Sequence, residues 1–199
     1  MKYEDEFLGA LAFSEEQGIR VPNWTTALRA ILRGGEGAVP DHLIDEGVAR
    51  KLNASLQATF GMDHWSLACK CLEVHTTMLE LVGDIVGVSP VLTVGDVTVG
   101  NKRAYNFSRE SAVAQMSREP GTATFNVHAW LTLPSLEIVD FTLLPTYATA
   151  NDGARRLYEK RRESPGILAN HWSMFSGISY HPVVLGTDAV DKLKLLRLP

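Results

Sequence analysis

Apolar residues recur at mixed helical spacing from Glu4 to about Leu32, and Gly34-Gly35-Glu36-Gly37 with Pro40 ends that stretch in a loop. A second helix is expected from about His42 to Phe60, carried by Leu43, Ile44, Val48, Leu52 and Leu56, with Asp41 as its cap and Gly61 as its stop. The third helical pattern begins near Ser66, ends before Gly87 and is the best defined in the chain. With residues placed at about 100° intervals, His75, Met78, Val82, Ile85 and Val86 fall within about 60° of Cys71, and Leu72, Val74, Leu79 and Leu81 widen the stripe. Glu73, Thr76, Thr77, Glu80 and Asp84 take the opposite side. Cys71 therefore sits near the centre of the buried face, and Cys69 points roughly the other way.

After Gly87 the pattern changes. Val91-Leu92-Thr93-Val94-Gly95-Asp96-Val97-Thr98-Val99-Gly100 is rich in β-branched residues and broken by glycine, which predicts strand, turn or bulge, and strand. A charged helix-like or loop segment follows. Phe125, Val127, Ala129 and Leu131 then alternate with Asn126, His128, Trp130 and Thr132, and past Pro134-Ser135 a second strand is expected from about Glu137 to Leu143, making a hairpin. The remainder reads as a basic helical run from Arg155 to Arg162, an aromatic loop region, and a final helix from about Asp188 to Leu196. Helices, then strands, then helices predict an α+β domain with a mostly antiparallel sheet. We expect one domain over 1–199, with a helical N-terminal part (1–60), a central core (61–147) and a C-terminal helical and loop part (148–199).

The composition narrows the class. A chain of 199 residues that is 45% hydrophobic and 21% charged can bury one sizeable core. Its formal net charge of −4 offers no electrostatic footprint for phosphate backbones or anionic lipid, so no nucleic-acid or membrane partner is expected. The acidic start Met1-Lys2-Tyr3-Glu4-Asp5-Glu6 does not read as a basic signal, and no stretch approaches the roughly 18 uncharged apolar residues of a span. The N-x-S/T matches at Asn23, Asn53 and Asn106 then have no secretory context. The two cysteines, Cys69 and Cys71, are too close in sequence for an ordinary structural bridge, so free thiols and a cytoplasmic location are expected.

A hairpin decides which residues share a face. If Pro134 and Ser135 alone form the turn, Leu133 pairs with Leu136 and Asp140 falls opposite Ala129, facing away from His128. If the connection is Leu133, Pro134 and Ser135, Thr132 pairs with Leu136 and His128 lies directly across from Asp140. The second register suits a His–Asp hydrogen bond. A carboxylate so placed fixes the imidazole tautomer and leaves the other ring nitrogen free to take a proton from a thiol. A cysteine at a helix N-terminus beside an imidazolium is favoured as thiolate by both the macrodipole and the neighbouring charge. The candidate roles are Cys71 as nucleophile, His128 as base and Asp140 as orienter.

Cys71-Leu72 opening a helix, Gly87-Val88-Ser89-Pro90 before a strand, His128-Ala129-Trp130 on a strand and Asp140-Phe141-Thr142 on the next resemble the transglutaminase-like branch of the papain-like cysteine fold, including the leader-peptide proteases of lasso-peptide maturation. The resemblance runs from about Cys71 to Thr142. It implies a papain-like core with the catalytic cysteine at a helix N-terminus, a Cys71, His128 and Asp140 triad, and Trp130 and Thr142 as motif companions, Trp130 on the substrate side. No cofactor and no metal are expected. The side chain completing an oxyanion hole is not evident, since Gln57 and Asn53 lie upstream on a helix of unassigned position.

Other readings stand beside this one. A buried cysteine is ordinarily a small hydrophobe. His75, one turn beyond Cys71, is an alternative base or a packed neighbour. A metal set of Cys69, Cys71, His75 and His64 fits no standard zinc spacing. The glycines at 83, 87, 95 and 100 form no phosphate loop, and the 155–162 basic run, interleaved with Glu159 and followed by Glu163, reads as a solvated face. The expected function is cysteine-dependent acyl chemistry on a peptide, protein or small-molecule amide or ester, by hydrolysis or transfer. The alternatives are a non-enzymatic binding or assembly module on the same fold, and an arylamine-type N-acetyltransferase.

Overall fold

The computed structural model describes residues 2–21, 42–118 and 126–195. The expected Asp41 cap, the helical pattern over 22–32, the glycine-rich loop and Phe125 lie outside them, and the last helix stops at Lys192, short of the expected Leu196. The described residues form an α+β structure with seven α-helices and one antiparallel sheet. None of these helices is long and apolar enough to cross a membrane.

The helices are α1 (Tyr3–Glu16), α2 (Glu46–Phe60), α3 (Cys71–Val86), α4 (Arg109–Met116), α5 (Leu143–Ala150), α6 (Asp152–Arg161) and α7 (Asp188–Lys192). The strands are β1 (Val91–Val99), β2 (Lys102–Arg103), β3 (His128–Thr132), β4 (Glu137–Asp140), β5 (Leu168–His171) and β6 (Ile178–Leu185). β1 pairs with β6 on one edge and, on the other, with β3 and then β2; β4 and β5 extend the β3 side.

Local chemistry explains the ends. α2 starts later than its apolar pattern because Asp45 accepts the Val48 N–H at 2.7 Å as an N-cap. Before α3 there is a 3₁₀ turn (His64–Leu67), and Cys69 is left-handed (φ 61°), so the helix begins at Cys71 rather than near Ser66. Gly87, also left-handed, terminates it. The β1 pattern is one continuous strand whose only irregularity is a register shift between Val94 and Gly95 against β6. Gly95 is required there: a Cβ would lie 2.8 Å from Trp130 Cη2 and collide with the His181 carbonyl oxygen.

The β3–β4 hairpin corrects both expected registers. Leu131 pairs with Val139 and Thr132 with Ile138, so the connection is Pro134-Ser135-Leu136, closed by Leu136 N–H to Leu133 O and Leu133 N–H to Glu137 O. Leu136 takes the left-handed conformation (φ 62°), the role glycine usually fills after a type I turn. Extended two residues, this register sets Asp140 across from Trp130. Asp140 thus shares a face with His128 but is its diagonal neighbour, within reach of long side chains.

Two apolar layers flank the sheet. One holds Val74, Met78 and Val82 of α3 with Leu92, Val94, Ala129, Leu131 and Val139. The other holds Tyr3, Phe7 and Leu11 of α1 with Val97, Trp130, Ile138, Tyr180 and Leu185. β5, β6 and α5 fall where no regular element was expected, and β6 supplies the most extensively paired neighbour of β1.

Candidate active site

Asp140 ends β4 because its own side chain takes over the backbone. Its Oδ1 accepts the Thr142 N–H at 2.9 Å and the Leu143 N–H at 3.0 Å, stopping the strand and starting α5. Its Oδ2 lies 2.6 Å from His128 Nε2 and accepts the Tyr180 hydroxyl at 2.9 Å. All three residues are buried. Burial opposes the Asp140 charge, but the His128 charge and hydrogen bond outweigh it and hold the carboxyl well below the usual carboxylate range.

The His128 ring is set from all sides. Burial disfavours its charged form, yet the Asp140 charge and hydrogen bond, reinforced by Cys71, push its pKa up to about 10. With Nε2 committed to Asp140, Nδ1 is the nitrogen open to the thiol, and it is buried with no regular hydrogen-bond partner. Tyr105 stacks on the imidazole at 4.9 Å between centroids and 16° between planes, and Trp130 lies at 6.0 Å and 27°.

The half-buried Cys71 side chain lies 3.8 Å from the Val127 carbonyl, one residue before His128. Lys70 gives the first turn of α3 no side-chain cap, and Glu73 is the acidic residue in that turn. Cys69 stands outside the helix, exposed, with its N–H donating to Thr146 Oγ1 at 2.9 Å.

His75 is a strut. Its Nδ1–H donates to the Cys71 carbonyl at 2.6 Å and its Nε2 accepts the Phe141 N–H at 3.1 Å, so one imidazole ties α3 to the end of β4. Both bonds require the neutral ring, and burial lowers its pKa to about 4 despite the Asp140 charge 3.6 Å away. A neutral ring with both nitrogens occupied is not a free base for Cys71.

The structure thus brings Cys71, His128 and Asp140 together. Trp130, expected on the substrate side, is fully buried and donates its Nε1–H to Tyr3 Oη at 3.0 Å, so it supports the His128 ring and offers no surface to a ligand. Two contributors escaped sequence reading. Tyr180 lies in the stretch read as a loop. Tyr105 is held over His128 because the buried Asp96 accepts its N–H at 2.9 Å and those of Asn106 and Val97 at 3.1 and 2.8 Å, and pairs with Arg103. A tyrosine beside a glycine-punctuated strand carried the only signal for it.

Compared with known proteins, the chain matches no family model, no curated protein and no solved structure.

Proposed function

We propose that this protein is a cysteine-dependent acyl hydrolase or acyltransferase acting on an amide or ester through a Cys71–His128–Asp140 triad on a transglutaminase-like, papain-like core. The observation that carries the reading is the His128 ring: Nε2 bound to a buried carboxylate at 2.6 Å, Nδ1 left without a regular partner, and the Cys71 thiol among the groups acting on it. His64 also keeps one buried nitrogen without a partner, but its other nitrogen meets a backbone carbonyl, whereas His128 is paired with a buried carboxylate and acted on by the thiol.

The chemistry follows from these positions. The Cys71 sulfur, having given its proton to His128, attacks the carbonyl carbon; a C–S bond forms and the carbonyl π pair moves to oxygen. The backbone N–H of Cys71, in the first turn of α3, is assigned as a donor to that oxyanion. Collapse breaks the bond to the amine or alcohol, which leaves with the proton from His128. Water or an acceptor amine then gives a proton to His128, attacks the thioester carbonyl and releases Cys71. Asp140 stays ionised throughout and holds the imidazole in place. A free thiol of this kind suits the reducing cytoplasm.

Competitive alkylation tests the reading. Exposure alone favours modification of Cys69, whereas an assembled triad favours the half-buried Cys71. Iodoacetamide and a panel of acyl electrophiles should modify Cys71 at least about tenfold faster than Cys69 at neutral pH, and Cys71→Ala should abolish electrophile labelling with the fold intact. Faster labelling of Cys69, or equal slow labelling of both, would replace the enzyme by a binding or assembly module.

A further inference from the structure

A cavity of about 280 Å³ opens between the ends of β1 and β6 and the α5–α6 pair. Its floor is Val99, Ile178 and Leu143, its walls include Ala154 and Leu157 of α6, and Arg161 stands at the rim. None of these residues takes part in the triad.

Its position follows from the sheet. Ile178 lies two residues from Tyr180 on the same face of β6, and Val99 pairs with Ile178 as Val97 pairs with Tyr180. Two residues along a strand span about 7 Å. The floor therefore lies on the sheet face that carries Tyr180 and His128, two residues along β6 from the tyrosine that binds Asp140. Leu143 joins the two directly, since its N–H donates to Asp140 Oδ1 while it lines the cavity.

Its chemistry is unusual for a surface. α6 contributes no buried residue, yet Leu157 stands 57% exposed over an apolar hollow. Among the described residues the ion-pair partner of Arg161 is Glu163, at 4.0 Å, too long for a strong pair. At about 280 Å³ it stands at the small end of ligand cavities and has room for one large side chain.

We propose that this cavity is a substrate subsite that takes one aliphatic or aromatic side chain of a peptide, with Arg161 receiving the carboxylate of an acidic neighbour. The inference rests on the thiol reading for its purpose, but it is tested by binding alone. The probes are the blocked dipeptides acetyl-Glu-Leu-amide, acetyl-Glu-Ala-amide and acetyl-Gln-Leu-amide, titrated into the full chain and followed by the methyl NMR signals of Leu143 and Leu157. Acetyl-Glu-Leu-amide should shift both signals saturably. The alanine probe should bind at least about tenfold more weakly, as expected for the lost apolar contact. The glutamine probe should bind a few-fold more weakly, with the difference removed in Arg161→Gln. Ala154→Phe, on a helix that buries nothing, should fill the hollow and abolish binding of the leucine probe. Saturable binding with an unreactive Cys71 would end the thiol reading and leave the subsite standing. A reactive Cys71 with no saturable shift, or with equal affinity for the leucine and alanine probes, would end the subsite and leave the thiol reading.

Discussion

Tyr180 donates its hydroxyl at 2.9 Å to Asp140 Oδ2, the same oxygen that lies 2.6 Å from His128 Nε2. Burial, then the Asp140 charge, hold that hydroxyl in its neutral, donating form. Tyr180→Phe removes a donor to a buried charge while keeping the ring, and hydrogen bonds to charged groups contribute about 1.5–3 kcal/mol. We expect a stability loss of about 2 kcal/mol, read from the urea midpoint at constant slope. A loss under about 0.5 kcal/mol would mean the carboxylate is satisfied without Tyr180.

Stability against pH should peak near the ordinary histidine pKa of about 6.5, because the two buried histidines are shifted in opposite directions. His128, raised to about 10, is protonated in the folded chain and neutral when unfolded, so its contribution is complete below about 6.5 and is lost as pH rises towards 10. His75, lowered to about 4, is neutral when folded and protonated when unfolded, so stability falls as pH drops from about 6.5 to 4. Each limb should change the folding equilibrium constant by about tenfold per pH unit. Asp140, whose folded pKa is depressed, adds a loss that begins below about pH 4. Urea titrations across pH should show Asp140→Asn flattening the alkaline limb and His75→Gln flattening the acid one. Unchanged limbs in both variants would assign the pH dependence to other groups.

Asp96 fixes Tyr105 over the His128 ring through three backbone N–H groups, so Asp96→Ala should free that cover without touching the triad. Leaving those donors unpaired costs about 1–3 kcal/mol each where they stay buried. The cover's release should appear as faster hydrogen exchange at Tyr105 and Asn106 and as an altered His128 ring shift in NMR. An unaltered ring shift would show that stacking does not depend on the Asp96 turn.

Gly95→Ala forces a methyl against Trp130 and the His181 carbonyl in the middle of the sheet, and overpacking of this kind costs about 1–3 kcal/mol. Gly166→Ala, where a Cβ meets nothing within 4 Å, is the control and should be near neutral. Equal denaturation midpoints for the two variants would overturn the packing argument at Gly95.

The α3 face was readable because a single period places Cys71, His75, Met78 and Val82 on one stripe, and the structure buries that stripe as a unit except at its half-buried first member. The shared face of His128 and Asp140 was readable from alternation, but not the register. Leu136 adopts a left-handed turn conformation that glycine or asparagine would have advertised, and leucine does not. β6 was missed because Tyr180-His181-Pro182 breaks both alternation and donor supply, while its partner β1 lies some eighty positions away, beyond the reach of any local pattern. With β6 went Tyr180, and with it half of the Oδ2 environment.

That last strand also orders events in time. β6 must close against β1, the first strand made, before α1 can pack along it and before Asp140 receives its tyrosine. Pairings of such sequence separation form late, since chain closure entropy is spent before the contacts repay it. A nascent chain that has emerged only as far as Pro165 already contains the thiol, imidazole and carboxylate, yet it lacks the fifth and sixth strands that complete the sheet around them. The surroundings of the Asp140 carboxylate are therefore complete only once the last strand has joined the sheet.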